Sequence, residues 1–166
     1  MQALVLSGGG AKGAFGVGVV DELHSLGFTW DIVSGTSTGA LMVPFAALAF
    51  ADPAALPALK KFYLSATQGG IIESNLSLPG FLKGLPTGVY NLAPLRKKID
   101  AAITDAYLTR LEQCRVAAIV NSVNLQTGQL AVSAQEWAKP GMWSWFETRD
   151  PGFVYWIPFA SYRAAV

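Results

Sequence analysis

A short apolar run, Ala3-Leu4-Val5-Leu6, leads into Gly8-Gly9-Gly10-Ala11-Lys12-Gly13, and a second, Asp31-Ile32-Val33-Ser34, leads into Gly35-Thr36-Ser37-Thr38-Gly39. A helix-compatible stretch follows each of these glycine-framed turns. A chain that twice passes from strand to turn to helix folds as an α/β protein, with a mostly parallel sheet covered by helices. The second turn has the G-x-S-x-G spacing of a nucleophile elbow, in which Gly35 and Gly39 permit a turn tight enough to push the Ser37 hydroxyl outward. The first turn presents backbone N–H groups at the start of a helix, where the dipole favours negative charge. A nucleophile and a cradle for an oxyanion are the minimum that acyl transfer needs.

The remaining pattern is consistent with that order. A strand is expected over about 3–7, then a helix over about 14–26 with Phe15, Val19, Leu23 and Leu26 on its buried face and Gly27 as its stop. A second strand over 31–34 carries the elbow, and helices follow over about 38–51 and 54–66, separated by Asp52-Pro53. From Thr67 to Tyr90 regularity fails among glycines, prolines and large apolar residues. Two readings fit this stretch: an irregular segment packed on the core, or a lid or lipid-touching loop. A helix resumes near Ala93 with Leu95, Ile99 and Ile103 spaced for burial. Arg115 to Val123 reads as a buried strand, with Thr127-Gly128 turning into a returning strand over 129–133. Trp137, Trp143, Trp145 and Trp156 then cluster with Phe146, Phe153 and Tyr155, as core or as an interfacial patch. The last stretch, Phe153 to Val166, reads as helical despite Pro158, and a domain stopping there without a cap is expected to be incomplete.

Composition narrows the partners. The 166 residues suit one domain, and a net charge of +1 argues against nucleic acid as a partner. Charged residues make up 14% of the chain, well below the roughly 25% of ordinary domains, and hydrophobic ones 52%. Such a chain touches something through an apolar patch or is a piece of a larger body. The longest apolar run, Ala40 to Ala51, is too short for a bilayer and contains Pro44. No signal-peptide pattern opens the chain, so a cytoplasmic location, peripheral to membranes, is expected. The lone Cys114 is expected to be a buried structural thiol. No His/Cys/Asp cluster has metal-ligand spacing, and neither metal nor organic cofactor is expected.

A serine hydroxyl needs a base within hydrogen-bond reach. His24, the single histidine, follows the glycine loop by a helix rise of about 15 Å, towards the opposite edge of the sheet from Ser37. Asp31 begins the strand that Ser37 ends, about 20 Å away by strand rise. Asp52 closes the helix leaving the elbow, again at the far edge. Lys12, amid glycines at a helix start, reads as an anion anchor together with Gly13. Asp100, Asp105 and Asp150 have no evident path to Ser37, so the base is not found in the readable pattern.

The ordered pair of glycine turns resembles the patatin-like phospholipase family, closely over the first 45 residues and more loosely through Tyr90-Asn91-Leu92-Ala93-Pro94-Leu95 and Ala160-Ser161. The resemblance implies a three-layer α/β sandwich, a lipid or acyl-ester substrate with peripheral membrane contact, and a Ser-Asp dyad in place of a triad. It also implies an oxyanion hole from Gly8, Gly9, Gly10 and Thr38, with Lys12 at the basic position of the glycine loop. The family's dyad aspartate lies in an Asp-Gly motif shortly after a segment like Ala160-Ser161, and this sequence contains no Asp-Gly pair. The expected function is therefore a serine lipid acyl hydrolase whose aspartate lies beyond these residues. Gly10 is expected to tolerate no side chain, because its N–H faces a developing oxyanion in a crowded loop. Two other readings remain open: a non-catalytic lipid- or partner-binding remnant of the fold, and a dinucleotide-binding domain, since Gly8, Gly10 and Gly13 also satisfy G-x-G-x-x-G.

Overall fold

The computed structural model of the chain describes residues 1–68, 71, 73–74, 90–135, 137 and 154–158. A five-stranded sheet runs in the order β1 (Ala3–Leu6), β2 (Ile32–Thr36), β5 (Ala117–Val123), β6 (Leu130–Ala134), β7 (Val154–Pro158). Strands β1, β2 and β5 are parallel, β5 and β6 antiparallel, and β6 and β7 parallel. The helices are α1 (Gly13–Ser25), α2 (Thr38–Leu48), α3 (Ala55–Gln68), α4 (Ala93–Ala102) and α5 (Asp105–Gln113), and β3 (Glu73–Ser74) pairs with β4 (Tyr90–Asn91) as a separate antiparallel ribbon. The β1–β2 register sets Leu6 opposite Gly35. Because the two strands are parallel and level there, the glycine loop and the elbow leave the sheet side by side.

Helix α2 organises the core. Every residue from Gly39 to Leu48 is buried, so it presents no polar stripe to water and packs on all sides. It lies over β2 and β5, whose Val33, Gly35, Ala118 and Val120 are buried, and α1, α3 and α5 pack around it. An apolar cylinder has little to fix its rotation, and here three aromatic donors supply the direction. Tyr63 Oη donates to the Thr38 carbonyl at 2.7 Å, Trp30 Nε1 to that of Ala46 at 3.0 Å, and Tyr107 Oη to that of Pro44 at 3.4 Å. No helix of the described residues is long and apolar enough to cross a membrane.

Two sequence expectations change, and one helix had not been anticipated. The buried face of α1 is Gly13, Val17 and Val20, whereas Phe15 is 79% exposed and Leu26 and Val19 also reach solvent. The helix is apolar on two sides, and the small residues Gly13 and Gly16 select the side that can approach α2 and α3 closely. The stretch after Phe153 is not helical where it is described: Val154–Pro158 forms β7, as its β-branched and aromatic residues favour, with Pro158 ending the strand. Helix α5 was hidden by its shortness. Its signal is Thr104, whose Oγ1 accepts the Tyr107 N–H as an N-cap. The proposed lid over 67–90 falls mostly outside the described residues, as do Trp143, Trp145 and the side chain of Trp156, while Trp137 is half-exposed.

One polar side chain completes the sheet. Gln135, fully buried just after β6, accepts the Ala118 N–H through Oε1 at 2.7 Å and donates through Nε2 to the carbonyls of Val116 at 2.9 Å and Leu111 at 3.2 Å. Its amide thus replaces a missing stretch of partner strand at the start of β5. Gln135→Leu keeps the volume and leaves three buried backbone groups without this partner. A loss of about 3 kcal/mol is expected, measured as a lower urea midpoint with an unchanged slope.

Candidate active site

Ser37 sits between the end of β2 and the start of α2 with φ 55° and ψ −125°, and it is the non-glycine residue with positive φ among those described. Such a conformation costs on the order of 1–3 kcal/mol and persists only where the surroundings impose it. Serine is a favoured N-cap residue, yet Ser37 at this position makes no side-chain capping bond. The residue is exposed. The surroundings that impose the turn are backbone contacts. A Cβ at Gly39 would collide with the Leu6 carbonyl, and one at Gly35 would lie 2.5 Å from the Gly39 carbonyl oxygen. The crossing of α2 over β1 and β2 therefore has no room for a side chain at either position.

The glycine loop lies against Ser37. A Cβ on Gly8 would sit 2.8 Å from Ser37 Cβ and 3.3 Å from Ser37 Oγ. Gly10 to Lys12 forms a single 3-10 turn, closed by the Lys12 N–H bond to the Gly9 carbonyl at 3.1 Å. The reason given above for Gly10 is corrected here. Nothing lies within 4 Å of a Cβ built on it, so the loop is not crowded there, and what demands glycine is its φ of +57°. The crowded position is Gly8. Gly13 faces inward, where a Cβ would lie 3.0 Å from both Thr38 Cβ and Tyr63 Oη. Lys12 is exposed at the start of α1.

Two residues that the sequence reading passed over brace the elbow. Tyr63 on α3 reaches Gly13 and the Thr38 carbonyl together, and burial pushes its phenol up to about 12, so the hydroxyl stays a donor at any physiological pH. On β5, Asn121 donates through Nδ2 to Ser34 Oγ at 2.9 Å and to the Gly35 carbonyl at 3.5 Å. Asparagine is depleted within strands, and that was the available signal for Asn121; Tyr63 had none. Thr38 Oγ1 is buried beside Gly13 with no hydrogen-bond partner among the described residues.

His24, Asp31 and Asp52, weighed as bases, lie elsewhere, and Asp150 lies outside the described residues. His24, at the last turn of α1, has its ring centroid 5.2 Å from that of Phe50 and 6.4 Å from that of Trp30, at the end of the sheet where β2 begins. Asp31 accepts the Gln2 N–H at 2.6 Å before β2 starts. Asp52 accepts the Ala54 N–H and pairs with Arg110 at 2.6 Å, and both interactions hold its carboxyl below the ordinary range. Cys114 is buried, and desolvation raises its thiol. Among the described residues no group of three or more His, Cys, Asp or Glu could hold a metal ion.

Two openings lie near this region, one adjoining the serine and one beside the glycine loop. One, of about 360 Å³, is bounded by Ser37, Leu41, Leu95 on α4 and the end of β5 from Val120 to Val123. The other, of about 400 Å³, follows the open edge of β1 and is bounded by Gly8, Lys12, Phe15 and Val19.

Two substitutions test this geometry. Gly8→Ala drives a methyl group into Ser37, whereas Gly10→Ala meets only a left-handed backbone cost of about 1–2 kcal/mol. Gly8→Ala is expected to lower kcat on an ester substrate at least tenfold further than Gly10→Ala, measured on folded variants. The raised Tyr63 phenol makes the folded state hold its proton where the unfolded chain has lost it, so stability falls as pH rises from about 10 towards the folded value of about 12. In Tyr63→Phe that part of the alkaline decline disappears, read from urea midpoints across this window.

Comparison with known proteins places the chain. A family model described as patatin-like phospholipase matches residues 4–141, from β1 through β6. Among curated proteins, the cGAMP-activated phospholipase of Escherichia coli (strain TW11681) is 26% identical over 141 residues, covering 78% of this chain and 38% of that protein. The chain therefore spans well under half the length of this curated relative. With the family model lying across both glycine turns and the sheet that carries them, the chain belongs to the patatin-like phospholipase family.

Proposed function

We propose that the chain carries the nucleophile half of a serine lipid acyl hydrolase, acting on acyl esters of phospholipid type. Membership in a phospholipase family supports lipid hydrolysis in general. The observation that carries the finer reading is the state of Ser37: a serine held at φ 55°, with its hydroxyl withheld from capping its own helix. A strained residue whose polar group serves no structural bond is most simply a reacting group.

In this reading Ser37 Oγ attacks the ester carbonyl carbon and its proton passes to an aspartate carboxylate. The carbonyl oxygen becomes an oxyanion held by backbone N–H groups of the glycine loop, around Gly9 and Gly10, and by that of Thr38 at the head of α2. Each such donor contributes roughly 3–4 kcal/mol to the transition state. Collapse expels the alcohol, which takes the proton from the aspartic acid. Water, deprotonated by the same carboxylate, then attacks the acyl-serine, and the proton returns to Ser37 Oγ as the fatty acid is released. Lys12 at the end of the loop anchors an anionic group of the substrate. The aspartate is proposed to come from an Asp-Gly segment of the parent polypeptide beyond Val166, in keeping with the greater length of the relative. Peripheral contact with a lipid surface belongs to the same proposal.

A non-catalytic remnant and a dinucleotide binder are the rival readings. In the second, an acid should close the second strand to meet a ribose, whereas Asp31 precedes β2 and the strand closes on the elbow. One experiment separates all three. A fluorophosphonate is expected to label the full-length gene product at Ser37, and Ser37→Ala to abolish both labelling and esterase activity. Labelling that persists in Ser37→Ala would remove Ser37 as the nucleophile. A full-length product that neither labels nor hydrolyses esters favours the remnant.

A further inference from the structure

We infer that the opening bounded by α4 and the end of β5 is the acyl-chain subsite, and that Leu95 and Val123 set the length of chain it accepts. The inference rests on the reading of Ser37 as the nucleophile and adds the orientation of the substrate. An ester whose carbonyl carbon meets Ser37 Oγ has two arms, and the structure offers each a different environment. The opening on the β5 side has no charged residue in its lining. Its apolar walls are Leu41, Leu95, Val120 and Val123, and of the polar residues that also line it, Thr36, Ser37, Thr38, Asn121 and Ser122, the last two are engaged elsewhere. Asn121 Nδ2 is held by Ser34 Oγ at 2.9 Å, and Ser122 Oγ donates to the Ala131 carbonyl at 3.4 Å. Apart from the hydroxyls of Thr36, Ser37 and Thr38 at the elbow, what remains to meet a ligand is largely hydrocarbon. At about 360 Å³ the space falls within the roughly 300–1,000 Å³ of small-molecule sites.

The opening on the β1 side instead carries the Lys12 ammonium beside Gly8. Transfer of apolar surface from water favours the uncharged side for the alkyl arm, while the alcohol arm, with any phosphate it bears, turns to Lys12. The two flanks thus divide the substrate at the scissile bond, with acyl chain towards α4 and β5 and leaving group towards the glycine loop. Leu95 reaches this space from α4, and Val123 stands at its rim on the exposed end of β5. Their size therefore limits the chain without touching the reacting atoms.

The test uses the full-length gene product and compares kcat/KM for nitrophenyl butanoate with that for nitrophenyl dodecanoate. Val123→Phe, at an exposed rim position, narrows the space and is expected to lower the dodecanoate-to-butanoate ratio about tenfold. Leu95→Ala widens it and is expected to raise the ratio. Phe15→Ala, in the opposite opening, leaves the ratio unchanged. Folded Val123→Phe and Leu95→Ala proteins that act on both esters with the wild-type ratio would overturn the proposal, as would a ratio that moves with Phe15→Ala alone. Should Leu95→Ala fail to fold, Val123→Phe decides by itself. Failure of the underlying reading looks different: the wild-type protein then neither labels at Ser37 with fluorophosphonate nor cleaves either ester.

Discussion

The carbonyl oxygens of α2 are the points from which the rest of the molecule takes its orientation. The helix is buried along its length, so hydrophobic burial holds it in place while leaving its rotation and axial position underdetermined. Tyr63 from α3, Trp30 from the approach to β2 and Tyr107 from α5 each bring one hydrogen to one carbonyl, at the beginning and in the second half of the helix. In a low-dielectric interior a displaced helix would leave the hydroxyl or indole N–H of its partner without an acceptor and without water, which makes these contacts directional in a way that packing alone is not. Their number is small, but they come from three separate elements and so fix the helix against each of them.

The serine inherits this placement. Its backbone strain is sustained because the residues on both sides have no freedom to relax: Gly35 is inside β2 and paired on both edges, and Gly39 is pressed against the Leu6 carbonyl. Asn121 closes the arrangement from the neighbouring strand by holding Ser34 and Gly35. The glycine loop is brought alongside by strand register rather than by its own contacts, since Leu6 and Gly35 stand level in adjacent parallel strands. The strained serine and its surrounding backbone are thus consequences of sheet topology, and Gly8 is the point where the two loops meet.

Much of this was legible in the sequence because local chemistry wrote it there. Glycine at fixed offsets after apolar runs specifies strand, turn and helix at short range, and Ser37, Gly35, Gly39 and the turn at Thr127-Gly128 fall where that pattern puts them. The errors arose where long-range packing decides. Helix α1 carries apolar residues on two sides, and only the position of α2 determines that Val17 and Val20 go inward while Phe15 stays out. The run Val154–Pro158 has no periodicity to separate strand from helix, and the free edge of β6 settles it. Tyr63 and Gln135 act through partners far away in the chain, the Thr38 carbonyl in one case and the Ala118 N–H in the other. No local pattern marks such residues.

The complete burial of α2 also bears on how the protein fails. In many enzymes the catalytic group rides on a surface loop that opens or melts well before the body of the protein does. Here the serine heads the most enclosed helix of the core, and the three carbonyl contacts tie that helix to α3, to α5 and to the segment leading into β2. No small motion releases it. Release of the serine is therefore tied to the cooperative loss of tertiary structure, and the amides of α2 are expected to be among the slowest to exchange.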